Sequence, residues 1–176
     1  PSGILNGEEE DFFHYVVSAG ALTLHGYGEP PMDLRLIERI RLATEKNIPT
    51  YFSCNPVNIK DKFFEEVLEA GVDFIKYSFD GLDAETLYHY RGKKMVVDEI
   101  YDRFDKSIEA ITKGGYDTVL VLTMLEFGAN KEDQRAFLER WQHQNVYVYI
   151  KNSHHRWLYE EDNTPVNTSP HTHCFC

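Results

Sequence analysis

The side chains with chemical potential in this sequence gather where apolar runs stop. After the run at Leu22–Leu24, "HGYGEPP" sets two glycines one residue apart, then the carboxylate of Glu29 and two prolines. A second run ends at Ser53-Cys54-Asn55 ahead of Pro56, and a third at Ser78-Phe79-Asp80-Gly81. Glycines let a ligand reach the backbone. A carboxylate ringed by accessible carbonyls is a receptor for a cation, most simply an ammonium with its three donors. Short hydroxyl, amide and carboxylate groups at neighbouring run ends suit a polyhydroxylated ligand such as a ribose. Each taken alone also fits an ordinary turn or cap residue, and Glu29 a solvated turn. Three polar ends together with Glu29 favour the ligand.

A nucleotide pyrophosphate is not that ligand. The dinucleotide fingerprint needs a third glycine opening a helix with free N–H groups. Here the position holds Pro31, next to Pro30, and Glu29 would repel a phosphate.

The elements that position these groups alternate. Residues 8–19 read as an acidic-capped helix ending at Gly20. "ALTLHGYG" and "IPTYFSCN" read as short strands, and Asp33 can cap a helix with Leu36, Ile40 and Ala43 on one face. A second helix has Phe63, Val67 and Ala70 inward and closes at Gly71 in a C′ position. "VDFIKYSFDG" is the third strand. A long helix then stripes Val97, Ile100, Phe104, Ile108 and Ile111, ending at Gly114-Gly115. "DTVLVLTML" reads as a strand buried on both faces. A helix anchored by Phe137, Leu138 and Trp141 precedes a last strand, "NVYVYIKN". Strand–helix alternation means parallel strands with right-handed crossovers, and function at their carboxyl ends. A complete eight-fold barrel takes about 250 residues, so five strands suit an open sheet or a partial barrel.

Bulk properties narrow the function. The chain has 176 residues, 42% hydrophobic, enough for one domain with a sizeable core. A net charge of −11 argues against non-specific nucleic-acid binding, which needs Lys and Arg on phosphates. No apolar run approaches the roughly 20 residues of a membrane helix. Three cysteines without framework spacing point to a reducing, cytoplasmic setting. The chain opens on Pro1 and reads as a segment of a longer one.

"LTLHGYGEP" resembles the Gly-Glu motif of the radical S-adenosylmethionine (radical SAM) enzymes. "EAGVDFIKYSFDG" and "ETLYHYRG" resemble the fourth-strand region of members with a C-terminal auxiliary-cluster (SPASM-type) extension. The likeness runs from about residue 15 to the end. It implies an α/β fold, a partial (β/α)6 TIM-like barrel of parallel strands whose first strand is missing here. Residues 1–150 would be that partial barrel, and 151–176 a linker into a truncated auxiliary iron–sulfur domain.

The resemblance further implies a 4Fe–4S cluster on a Cys-x3-Cys-x2-Cys loop and reductive cleavage of S-adenosylmethionine to a radical that abstracts hydrogen from substrate. Gly28 and Glu29 would hold the cofactor's ammonium; Asn55, Ser78 and Asp80 would face its ribose, and the strand near Leu122–Leu125 its adenine. Arg91 matches a "Tyr-x-x-Arg-Gly" element and reaches the cofactor carboxylate or is a surface residue. A peptide substrate and a flavodoxin or ferredoxin as electron donor are the partners implied, with no nucleic acid and no membrane.

Two departures bear on this. The cluster loop is absent from the sequence, and Cys54 alone cannot replace three thiolates; it reads as a small buried residue beside the pocket. The terminal "HTHCFC" offers zinc-type ligands at His171, His173, Cys174 and Cys176, too tightly spaced for a usual finger. The resemblance makes Cys174 or Cys176 the first ligand of an auxiliary cluster. Two other classes stay open: a metal- or Schiff-base-dependent aldolase, with Lys76 or Lys151 as the candidate amine, and a non-catalytic module that kept the barrel.

Overall fold

A computed structural model describes residues 20–26, 28–79, 97–126, 131–142 and 144–152. The expected helix at 8–19, the "ETLYHYRG" stretch and the tail beyond 152 lie outside these residues. Strands β1 (Leu22–Thr23), β2 (Thr50–Cys54), β3 (Phe74–Phe79), β4 (Val119–Glu126) and β5 (Tyr147–Asn152) form one parallel sheet in chain order. Helices α1 (Leu36–Glu45), α2 (Asp61–Glu69), α3 (Val97–Gly114) and α4 (Lys131–Trp141) fill the connections.

Strands that follow chain order, each joined by a right-handed crossover, place every helix on the same face. Side chains alternate accordingly. Phe52 and Cys54, Ile75, Tyr77 and Phe79, and Leu120, Leu122 and Met124 are buried beneath the helices. The other face is open: Tyr51, Ser53, Lys76 and Ser78 are half-buried there, and Tyr147 and Tyr149 exposed. This is a partial (β/α) barrel, with the open face as its inner wall.

Local signals in the sequence act as expected at several ends. Asp33 Oδ1 accepts the Arg35 N–H at 3.0 Å and its carbonyl the Leu36 N–H at 3.1 Å, so Asp33 shapes the turn before α1, while the N-cap position itself is Arg35 and has no side-chain cap. Gly71 has φ +88, the left-handed turn that ends α2. Two details differ. In α2 the buried stripe is Phe64, Val67 and Leu68, with Phe63 only at the core's edge. The expected Val67 and Ala70 are buried, and the two are joined by Phe64 and Leu68 rather than by Phe63. In β4, Val119 and Val121 on the open face are only half-buried, while Thr123 on the same face is buried.

The helices are held by aromatic packing. Trp141 meets Tyr101, Phe104 and Phe137 with ring centroids 5.2 Å apart in each case. Phe79 of β3 joins Phe104 at 5.7 Å, which fastens α3 and α4 to the middle of the sheet.

Candidate functional site

Parallel strands bring their carboxyl ends to one rim. Gly28 and Glu29 follow β1, Asn55 follows β2, and Ser78 is the penultimate residue of β3. Gly28 sits at φ +134, which side-chain-bearing residues rarely adopt, and no atom lies within 4 Å of where a Cβ would stand. Its glycine is required by the backbone, and the space beside it is open.

Glu29 is exposed, yet its carboxylate is not idle. Oε2 accepts the backbone N–H of Asn55 at 3.1 Å. The Asn55 side chain in turn accepts the Val57 N–H at 3.2 Å, capping the 3-10 turn Pro56–Asn58. Glu29 therefore ties the end of β1 to the end of β2, a role its sequence context did not disclose. Among the described residues, Oε1 has no partner. The Glu29 carbonyl is engaged by Met32 N–H at 2.9 Å, so a backbone acceptor beside the carboxylate has to come from Gly28.

Beneath this pair, Ser53 and Ser78 bring their hydroxyl oxygens within 3.4 Å on the open face. Cys54 points the other way. Burial, and secondarily the Glu29 carboxylate, push its thiol far above the usual range, so it is a neutral packing residue and no thiolate ligand. Asp80, Arg91, His171, His173, Cys174 and Cys176 lie outside the described residues. Among the described residues no three His, Cys, Asp or Glu side chains group to hold a metal, and no helix is long and apolar enough to cross a membrane.

A second group lies on the open face, joining Lys76 to residues that no sequence motif marks. His25 meets Tyr51 edge-on, with centroids 4.9 Å apart, and the Lys76 ammonium stands 5.6 Å over the Tyr51 ring. Burial, then the positive charge of Lys76, lower the pKa of His25. Strand parity was the available signal: positions 25, 51, 53, 76 and 78 share one face once the strands are in register.

The radical SAM superfamily model matches residues 14–140. The chain belongs to the radical SAM superfamily. Solved structures agree at the level of the fold. The radical S-adenosylmethionine methyltransferase TsrM from Kitasatospora setae superposes with a TM-score of 0.60 at 13% identity, over 81% of this chain and 30% of that one. SuiB from Streptococcus suis gives 0.63 at 16% identity, over 81% and 32%. A domain of pyruvate-formate lyase-activating enzyme from Bacteroides vulgatus gives 0.60 at 14% identity, over 84% and 86%. The chain thus spans about a third of TsrM and of SuiB. No curated protein matches the sequence.

Radical SAM enzymes use S-adenosylmethionine and a 4Fe–4S cluster, and the two fit these residues differently. The donor set at the rim suits the nucleotide: a carboxylate oxygen without a partner, paired hydroxyls, an amide side chain and a glycine with open space. The cluster has no ligand set here, since none of the three cysteines stands in a Cys-x3-Cys-x2-Cys spacing.

Proposed function

We propose that this chain is the S-adenosylmethionine-binding part of a longer radical SAM enzyme. The observation that carries the reading is the Glu29–Asn55 bond, which fixes a carboxylate with one unpartnered oxygen at the rim where two strands end. Oε1 of Glu29 and the carbonyl of Gly28 accept from the ammonium of the cofactor. Asn55 and Ser78 donate to and accept from its ribose, with Asp80 next along the chain. The bound cofactor supplies the family's hydrogen-abstracting chemistry. The chain's residues hold it by one charge and several neutral donors.

The ligands of the 4Fe–4S cluster are then provided outside these 176 residues. In the same reading residues 1–150 are the barrel portion and 151–176 a linker. Cys174 or Cys176 is the first ligand of an auxiliary cluster of SPASM type. A peptide is the proposed substrate, a flavodoxin or ferredoxin the electron donor, and a reducing cytoplasm the setting. Support comes from the "AGVD-I-YS-DG" pattern and the cysteine usage.

Equilibrium dialysis with S-adenosylmethionine tests the site. Glu29→Gln keeps an oxygen for the Asn55 N–H but removes the charge. A hydrogen bond to a charged group contributes about 1.5–3 kcal/mol, so affinity should fall about 10- to 150-fold with thermal stability unchanged. Equal affinity in the variant would refute the ammonium assignment. Anaerobic reconstitution of the full-length protein with iron and sulfide should produce broad visible absorbance; a colourless, iron-free product would exclude radical SAM chemistry.

A further inference from the structure

The inner wall of the barrel is charged against the trend of the chain. Register and parity place Lys76 and Lys151 on the open face, while no carboxylate among the described strand residues shares it. Yet the chain as a whole carries a net charge of −11. Lys76 makes no ion pair among the described residues; its ammonium rests on the Tyr51 ring at 5.6 Å. His25 packs on the same ring, and its Nδ1 is shielded from solvent with no hydrogen-bond partner among the described residues. A buried polar atom left unpaired costs about 1–3 kcal/mol.

We propose that Lys76 and His25 form a carboxylate subsite on the inner wall, which takes an acidic group of the substrate. The assignment to substrate rests on the strand-end reading above. An ammonium and an imidazole N–H on one aromatic platform match the two oxygens of a carboxylate. Burial and Lys76 disfavour the protonated form of His25, so it offers one ring N–H; with Nδ1 shielded, the nitrogen that meets the ligand is Nε2. Lys76 precedes Ser78 by two residues, about 6–7 Å deeper along the strand. That depth separates the subsite from the rim and points it at a group inserted into the barrel.

The test follows the His25 ring signals by NMR while sodium acetate is added to the protein saturated with S-adenosylmethionine, with sodium phosphate and methylammonium chloride as parallel titrations. His25→Gln identifies the signals. Acetate should shift them saturably in the millimolar range. Lys76→Gln should weaken that response at least tenfold, Lys76→Arg should hold it within about threefold, and methylammonium should do nothing. An absent response, an equal one in Lys76→Gln, or saturation by phosphate alone overturns the subsite. So does a response seen only before S-adenosylmethionine is added, which would assign Lys76 to the cofactor's own carboxylate. Glu29→Gln separates the two proposals. Its acetate response should persist while its cofactor affinity falls, so failure at the rim and failure on the inner wall are read independently.

Discussion

Gly71→Ala probes how the α2–β3 turn holds the sheet in place. Gly71 has φ +88, and an added Cβ would lie 2.8 Å from Thr44 Cγ2 and 2.9 Å from Thr44 Oγ1. The left-handed backbone costs an L-residue about 1–2 kcal/mol. Thr44 is exposed and can rotate away, so severe overpacking is avoided. Rotation, however, withdraws its hydroxyl from the carbonyls of Ile40, Ala70 and Gly71, at 3.0, 3.0 and 3.2 Å. One proton serves one of these at a time, so the loss is a single hydrogen bond of about 0.5–1.5 kcal/mol. A stiffer unfolded chain returns about 0.4–1 kcal/mol, leaving a net destabilisation of about 0.5–3 kcal/mol. Urea unfolding followed by circular dichroism measures it. In a Thr44→Ala background the same substitution should cost less, by the hydrogen bond already removed. Unchanged or raised stability in Gly71→Ala would refute the account of this turn.

Other outcomes follow from single groups. His25 has a folded pKa below its unfolded value, because burial and Lys76 oppose its proton. The unfolded chain therefore binds more protons between the two values, and stability should fall as pH drops below about 6.5; His25→Gln should flatten that limb, and an identical pH profile would contradict the shift. Cys54, held protonated by burial and by Glu29, should react with iodoacetamide far more slowly than in urea, as read by site-resolved mass spectrometry; equal rates would refute its burial. Asp73 Oδ2 accepts the N–H of fully buried Thr50 at 2.7 Å, so Asp73→Ala should cost about 1–3 kcal/mol in urea unfolding. Asp73→Asn, which retains an acceptor oxygen, should cost less, and no difference between the two would discount the bond.

Much of this architecture is legible in the chain because its signals are local. The Leu36–Ile40–Ala43 stripe marks a helix just after the Asp33 turn, Gly71 and Gly115 close two others, and "TYFSC" alternates between covered and open faces. What escaped depends on partners far apart in sequence. The bond from Asn55 N–H to Glu29 spans 26 residues, so a rim carboxylate could be placed at its strand end but not seen as a brace. Ser107 on the buried face of α3 donates to the Arg103 carbonyl at 2.8 Å and meets Tyr77 OH at 3.0 Å, the second a pairing that periodicity cannot supply. His25 and Lys76 come to share the Tyr51 ring only through a register that puts both level with Ser53 of β2. The choice between the adjacent Phe63 and Phe64 is one that apolar spacing alone leaves degenerate, since either lies on a face with Val67.

Amide chemical-shift mapping with S-adenosylmethionine is the most direct measurement of where the nucleotide sits. Saturable shifts concentrated at Gly28, Glu29, Asn55 and Ser78 are the predicted result. No saturable change, or shifts gathered at the opposite strand ends around Ile48, Val72 and Thr118, would contradict it.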